Sequence, residues 1–187
     1  MQARKEHIHK AILEAAKDEF ALKGREKASL TAIAKAAGVS PGTVYIYFKD
    51  KRDLYDSCLP PSVAEELKKL ADSSILNAGN RRLESLTVSR DSHGPIIEFL
   101  LRNRREVLIL AQRDEWEGVF VGLLQGSALE YFDGIGRALS QDEARFLRFL
   151  YEGLLERILT ALRNGPATEE EIRKLIAYHV AGLKGVF

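Results

Sequence analysis

The stretch Ser29–Tyr47, SLTAIAKAAGVSPGTVYIY, constrains the fold more than any other part of the chain. Ser29 is a good helix N-cap, because its hydroxyl can accept a backbone N–H left unpaired at a helix start. Gly38 follows where a helix C-terminus favours the left-handed conformation. Ser40 can cap a second helix with Pro41 at its first position, where the missing N–H costs nothing. The pattern predicts a helix-turn-helix, a motif that places its second helix in a DNA major groove.

Helical periodicity also surrounds this stretch. Apolar residues recur at helical spacing from about Arg4 to Lys23, and Gly24 is expected to end that first helix. Asp50 is a candidate N-cap for the helix that follows the stretch. The pair Pro60-Pro61 should then interrupt the helix, since proline removes a donor and clashes with the preceding turn. These signals predict a small helical domain at the N-terminal end.

The middle of the chain has weaker signals. Helix is expected to resume from Val63 to Leu70, whereas Asp72–Asn80, DSSILNAGN, has the composition of a loop. The segment Arg81–Asp91 is weakly helical, and Ser92–Pro95, SHGP, predicts a break. From Ile96 onward the apolar spacing is helical again.

The C-terminal half predicts three long helices. One is expected from near Glu115 to Leu139. Ser140 with Glu143 forms a capping-box pattern that opens the next helix, and Thr168 with Glu171 forms a second that opens the last. Because no segment alternates with the period of a strand, the chain is predicted to be an all-α protein.

The helix Gln141–Asn164 has apolar residues on almost every side. A helix of that kind needs partners on both sides. We therefore expect it to pack on its own core and on a second subunit, forming with the last helix a four-helix homodimer interface from residues 141–164 and 169–184. The alternative is a central helix within a monomer.

Composition narrows the class of protein. The 28 Lys and Arg against 27 Asp and Glu give a net charge of only +1, but up to Cys58 there are 11 basic and 8 acidic residues, which mildly favours a DNA-facing N-terminal end. Cys58 is the only cysteine, so no internal disulfide can form. His7 and His9 lie on different helix faces and make a poor metal pair, so neither a metal nor a cofactor is expected. No signal peptide and no apolar run of about 18 residues is apparent. A cytoplasmic protein with no membrane partner is expected.

Residues Ile33–Leu54, IAKAAGVSPGTVYIYFKDKRDL, resemble the signature of the TetR family of bacterial transcriptional regulators. The specific part of the resemblance covers about Ile8–Leu59, and the rest is similar in its helical layout. The resemblance implies a helix-turn-helix DNA-binding domain in residues 1–50, followed by a larger helical effector-binding and dimerisation domain in residues 51–187. It also implies a repressor that leaves its double-stranded DNA operator when a small-molecule effector binds.

The resemblance further implies which residues contact DNA. Thr43 matches a base or phosphate contact, Tyr45 and Tyr47 match backbone or base contacts, and Lys51 matches a phosphate-binding lysine. The full predicted set is Thr31, Ser40, Pro41, Gly42, Thr43, Tyr45, Ile46, Tyr47 and Lys51. Three positions near the helix-turn-helix depart from the family pattern. Ala28 stands where a threonine is common, Pro41 replaces a common polar contact residue, and Ile46 offers a thymine methyl group an apolar contact rather than a hydrogen bond. Structural roles remain as alternatives, with Ser40 as a helix cap and the two tyrosines as cover for the small core.

Two further interpretations concern ligands and catalysis. Gly118, Gly122 and Gly126 share one helix face, which indicates either a close helix approach or room for a ligand. The candidate ligand-binding residues are Arg113, Trp116, Phe120 and Tyr131.

A constitutive or architectural DNA-binding protein of the same fold, with no effector, is the alternative function. Gly38–Gly42 fits the G-x-S-x-G nucleophile elbow, but a helix rather than a strand precedes it, so no enzyme is expected.

Overall fold

The computed structural model describes residues 2–79, 94–113, 116, 136–165 and 167–186, without the side chains of residues 2, 71–79 and 180–186. All regular structure in these ranges is α-helical, which confirms the predicted all-α class. The described helices are α1 Gln2–Lys27, α2 Leu30–Ala36, α3 Pro41–Tyr47, α4 Lys51–Ser57, α5 Pro61–Gly79, α6 Gly94–Arg102, α7 Arg104–Leu110, α8 Gln141–Asn164 and α9 Glu169–Val186. Within the same ranges, no helix is long and apolar enough to cross a lipid bilayer.

The N-caps predicted for α2, α3 and α4 are confirmed. The side chains of Ser29, Ser40 and Asp50 each accept a backbone N–H from the first turn of the helix that follows. Each cap satisfies one of the N–H groups that have no partner within the helix. Gly38, with φ of 70°, adopts the predicted left-handed conformation after α2. Residues close in sequence therefore determine where these three helices begin.

The first helix continues beyond its predicted end. Gly24 has φ of 78° and ψ of 163°, so the helical path is interrupted there, as expected. A further short turn nevertheless follows as far as Lys27, and the Ala28 N–H donates to the Gly24 carbonyl. The expected end of the helix is therefore a kink. Glycine permits it because it has no Cβ to clash at positive φ.

Two expectations for the middle and C-terminal half were wrong. Residues 72–79 continue α5 to Gly79 instead of forming a loop. Ser, Asp and Asn cost only about 0.5 kcal/mol in a helix interior, and each residue added to an existing helix gains a hydrogen bond. Residues 136–139, expected to form the end of a helix that reaches Leu139, are non-helical, and Gly136 has φ of 71°. Residues 81–91, and most of the expected Glu115–Leu139 helix, lie outside the described residues.

The proline pair separates two helices, as predicted. α4 ends at Ser57, and α5 begins with Pro61 at its first position. The missing N–H of proline has no cost there.

The chain divides into two compact units. The first comprises residues 1–64 and 105–112, and the second comprises residues 65–104 and 113–187. The predicted domain boundary, between residues 50 and 51, falls inside the first unit because α4 packs against α1. The apolar core of the first unit includes Ile12, Ala16, Phe20, Ile33, Val44, Phe48 and Leu54.

Within the second unit, α8 packs against α9 and α9 packs against α6. Both predicted capping boxes are present. Ser140 and Glu143 exchange side-chain and backbone hydrogen bonds at the start of α8, and Thr168 and Glu171 do the same at the start of α9. The buried side chains of these two helices include Leu147, Leu154, Ile158, Leu162, Ile172 and Ile176.

Candidate nucleic-acid interface

The α2–α3 pair is held together by apolar contacts and by its turn. Ile33 and Ala34 of α2 are buried, and so are Val44 of α3 and Phe48, which caps its C-terminus. The Val39 N–H donates to the Ala34 carbonyl at 2.9 Å and closes the turn. With one side of α3 packed on the core, its opposite side is turned to solvent.

The exposed side of α3 consists of four residues. Pro41, Gly42, Tyr45 and Ile46 are all exposed, at helix positions i, i+1, i+4 and i+5. Tyr45 is 57% exposed and Ile46 is 79% exposed. The structure therefore brings four of the predicted DNA-contact residues onto one surface. We call these four residues the α3 face.

Ser40 and Thr43 are engaged with each other at the start of α3. Ser40 Oγ accepts the Thr43 N–H at 3.2 Å, and the two hydroxyl oxygens lie 2.9 Å apart in a hydrogen bond. Ser40 thus has the structural role of an N-cap. It lies between α2 and α3, so it is not on the strand-to-helix turn that a nucleophile elbow requires.

The two tyrosines of α3 have different surroundings. Tyr45 is exposed and does not cover the core, whereas Tyr47 is half-buried. The Tyr47 ring centroid lies 6.1 Å from that of His9 on α1, and the His9 ring stacks on Phe48 at 5.0 Å. Tyr47 therefore has a packing role that Tyr45 lacks.

Lys51 has an intramolecular partner that the sequence did not predict. Its Nζ donates to the Glu26 carbonyl oxygen at 2.9 Å, near the end of α1. A lysine at a helix C-terminus stabilises the carbonyl groups that have no helical partner. The two residues are 25 positions apart, so no local pattern indicates the pair. The ammonium group retains two further N–H donors.

Three further residues near α3 in the sequence are exposed and could contact DNA. Thr31 is exposed on α2, as a DNA contact requires. Lys49 and Arg52, which flank Asp50 and Lys51, are exposed as well and were not among the predicted site residues. The basic run KDKR is the sequence signal that could have identified them.

Glu19 fixes the entry to α2. Its Oε1 accepts hydrogen bonds from the Ser29 N–H at 3.0 Å and from Lys23 Nζ at 2.9 Å. Burial alone would raise the pKa of the Glu19 carboxyl, but the hydrogen bonds from Lys23 and Ser29 lower it overall. The charged form of Glu19 therefore ties α1 to the start of the helix-turn-helix.

A network of charged groups joins α1 and α7 inside the first unit. Lys17 Nζ lies 2.7 Å from Glu106 Oε1, and both side chains are largely buried. Arg105 lies 2.6 Å from Glu14 and 3.2 Å from Asp18. Burial lowers the pKa of Lys17, but the hydrogen bond to Glu106 together with the negative charges of Glu106 and Glu14 outweighs it, so the pKa is raised.

The Cys58 side chain is fully buried. Burial raises the pKa of the Cys58 thiol to about 12, so this group stays protonated and unreactive. In the ranges that the structure describes, no three His, Cys, Asp or Glu side chains come together as a metal site would require.

The predicted ligand residues are described only in part. Trp116 is buried, with Lys68 Nζ 5.7 Å from its ring centroid, and Arg113 is half-buried. All three belong to the second unit. Phe120 and Tyr131 lie outside the described residues. The contact between Lys68 and Trp116 adds one residue that the sequence did not indicate.

Comparisons with known proteins agree with this geometry. Residues 12–58 match the family described as bacterial regulatory proteins, tetR family. The HTH-type transcriptional regulator AcrR of Shigella flexneri is 38% identical over 142 residues, which are 68% of this chain and 60% of that protein. The fatty acid metabolism regulator protein of Bacillus subtilis (strain 168) is 25% identical over 156 residues, 80% of each chain. A solved TetR-like transcriptional regulator from Rhodococcus sp. RHA1 matches with a TM-score of 0.53 and 22% identity, over 95% of this chain and 96% of that one.

Together, the helix-turn-helix and the helices described in the second unit are those of the helix-turn-helix transcriptional regulators. The chain belongs to the TetR family of bacterial regulatory proteins. The likeness to the Rhodococcus structure shows the fold. The match spans between 28% and 60% of the length of four of the curated relatives.

Proposed function

We propose that this protein is a sequence-specific transcriptional repressor that binds a double-stranded DNA operator as a homodimer and leaves it when a small-molecule effector binds. The observation that carries the proposal is the α2–α3 pair within the family match at residues 12–58. Its second helix turns an uncovered side, the α3 face, to solvent. A helix with one packed and one open side suits insertion into a major groove.

The proposed DNA contacts fall into two groups. Residues of the α3 face, with Thr43 and Tyr47, approach base edges and nearby phosphates. Thr31 and Lys51 contact the phosphate backbone on either side, joined by Lys49 and Arg52. Phosphate contacts position the protein, whereas contacts to base edges specify the sequence.

The homodimer is proposed to form through α8 and α9. Phe149 of α8 is 68% exposed and Tyr178 of α9 is 77% exposed, although both belong to helices with an extensive buried side. An open groove between the two helices is lined by Thr160, Ala161, Leu175 and Tyr178 with four charged residues. An apolar strip bordered by charge suits a second copy of the same surface, because a twofold interface pairs a patch with itself.

An apolar effector is proposed for the second unit. The support is the match to the fatty acid metabolism regulator protein of B. subtilis, which spans 80% of both chains. Trp116, with Lys68 over its ring, combines an apolar surface with a cation. Fatty acids and their thioesters are therefore the first effectors to test.

The test is selection of bound duplexes from random DNA, repeated with a panel of fatty acids and acyl thioesters. We expect enrichment of an inverted repeat with half-sites about one turn apart, about 34–36 Å between their centres. Affinity should fall steeply with salt. Tyr45→Ala should weaken operator binding by about 1 kcal/mol for each protomer, the net value of one hydrogen bond, and leave the dimer intact. Leu22→Ala, which trims a side chain 63% exposed on α1, is the matched control and should change neither property.

Two results would contradict the proposal. Failure to enrich any duplex would refute the regulator. Enrichment that no panel member reverses would instead favour the alternative of a constitutive or architectural DNA-binding protein.

A further inference from the structure

α3 lacks the side chains that usually identify bases. Residues 41–47, PGTVYIY, contain no Arg, Lys, Asn, Gln, Asp or Glu. Paired hydrogen bonds to guanine come mainly from Arg and Lys, and those to adenine come from Asn and Gln. The residues on α3 therefore cannot form the common bidentate base contacts.

Hydroxyl groups of this helix compensate only in part. The hydroxyls of Ser40 and Thr43 already share a hydrogen bond of 2.9 Å, and Ser40 Oγ also caps the Thr43 N–H. The nearby cations Lys49, Lys51 and Arg52 lie beyond the C-terminus of α3. Their interaction with phosphate carries no sequence information.

What remains on the solvent side is apolar. Ile46 is 79% exposed, more than any other large hydrophobic side chain that the structure describes, and Tyr45 beside it is 57% exposed. Pro41 and Gly42 extend the same surface by one helical turn. A single exposed apolar residue needs no explanation. Here, by contrast, the Tyr45 hydroxyl is the one polar side-chain group on the α3 face.

We propose that the α3 face reads thymine methyl groups, and that Ile46 sets this preference. The proposal rests on the proposed function, because it assumes that α3 enters the major groove of an operator. The C5-methyl of thymine is the apolar group that base pairs present in that groove. Ile46 has a flexible ethyl arm and a branch methyl and can bury such a group. The operator half-site therefore contains at least one thymine against Ile46.

Replacement of thymine by uracil tests the proposal, since the two bases differ only by the methyl group. The operator obtained by selection is synthesised with uracil at one thymine position at a time, in both half-sites. For the wild-type homodimer, we expect one position at which uracil lowers affinity by about 10- to 20-fold. Loss of one buried methyl corresponds to about three- to fivefold in each half-site.

The Ile46→Ala variant assigns the effect to its residue. We expect it to bind the thymine operator about 10- to 20-fold more weakly than wild type, and to bind thymine and uracil operators equally at that position. Ile46→Val, which keeps the branch, should retain part of the discrimination. Leu22→Ala removes an exposed apolar side chain outside α3 and should keep the full wild-type discrimination. Because Ile46 is exposed, these variants should fold normally, which circular dichroism checks.

The outcomes separate this inference from the proposed function. If an operator is selected but uracil is tolerated at every thymine, or if Ile46→Ala keeps the wild-type discrimination, the methyl-reading proposal is overturned while the regulator stands. A half-site without thymine has the same consequence. If no operator is selected, both proposals fall.

Discussion

The two compact units differ in what they bury and what they leave exposed. The first unit encloses a charged pair, Lys17 and Glu106, whose side chains are only 15% and 12% exposed. The second unit fills the contact between α8 and α9 with leucine and isoleucine, and it leaves the rings of Phe149 and Tyr178 in solvent. Among the residues described in this unit, several charged groups form exposed pairs along the helices, such as Arg148 with Glu152.

This difference indicates where each unit depends on other molecules. A buried charged pair tolerates little change in its surroundings, since the loss of one partner leaves the other charge desolvated. The first unit is therefore stabilised by its own internal contacts. The exposed aromatic rings on these otherwise well-packed helices are consistent with the twofold interface proposed for α8 and α9. The second unit is therefore expected to be stabilised in part by dimerisation.

The largest expected effect comes from the buried pair. Lys17→Met leaves Glu106 buried without its lysine and should lower the free energy of unfolding by about 3–5 kcal/mol. The double variant Lys17→Met with Glu106→Leu should recover most of that loss, because no charge remains buried. Urea unfolding measures both.

The matched control lies in the second unit. Arg148→Met breaks an exposed pair with Glu152 and should cost no more than about 0.5 kcal/mol. A single Lys17 variant as stable as this control would show that the two units do not differ in the proposed way.

The next effect concerns the exposed rings. Phe149→Arg places a charge in the proposed twofold interface and should convert the dimer to a monomer, measured by light scattering. Operator affinity should fall by about 100-fold, because two linked half-sites bind with a high effective concentration. Leu22→Arg changes a side chain of similar exposure in the first unit and should leave the dimer intact. Persistence of the Phe149→Arg dimer would exclude this interface.

Local features of both units could be read from the sequence. The caps at Ser29, Ser40, Asp50, Ser140 and Thr168 depend on residues within three positions, so a short pattern is sufficient to predict them. The length of α5 was missed because a string of weak turn formers does not stop a helix that already exists.

Features that depend on distant contacts could not be read. The assignment of residues 105–112 to the first unit follows from Tyr55 donating to the Ile109 carbonyl and from the Lys17–Glu106 pair. These pairs are separated by many residues and have no local signal. The same distinction between local and distant contacts applies to the candidate site. The predicted DNA-contact residues followed from a short motif. Whether each is exposed, like Ile46, or half-buried, like Tyr47, depends on which side of α3 packs on the core.

Lys51 provides a smaller test, within the first unit. Lys51→Met removes the hydrogen bond to the Glu26 carbonyl and should lower the free energy of unfolding by about 1 kcal/mol. If its remaining donors also reach a phosphate, the slope of log affinity against log salt should fall by about 1 for each protomer. Arg52→Met, at an exposed neighbouring position, should change the slope alone. If Lys51→Met is as stable as wild type, the hydrogen bond to Glu26 does not stabilise the fold, and the phosphate contact is the remaining role for Lys51.

The smallest expected effect compares one carboxylate from each unit. The hydrogen bond from Arg105 lowers the pKa of Glu14 in the first unit, and the Ser140 backbone N–H lowers the pKa of Glu143 in the second. A lowered pKa in the folded state stabilises the protein above the ordinary value of 4.5, and this stabilisation is lost as the pH falls through the folded-state pKa. Glu14→Gln and Glu143→Gln should therefore differ from wild type at neutral pH and converge with it in acid.

The stabilisation that each of these two carboxylates provides should depend differently on salt concentration. The pair of Glu14 and Arg105 is partly exposed and should be screened. Glu143 also pairs with Arg137, but the largest effect on its pKa comes from the neutral Ser140 N–H, so Glu143 should be less affected by salt. Raising the salt concentration from about 0.01 M to about 1 M should therefore reduce the stability loss caused by Glu14→Gln more than the loss caused by Glu143→Gln. Thermal unfolding measures both. Equal salt dependence would mean that Arg105 stabilises the Glu14 carboxylate mainly as a hydrogen-bond donor.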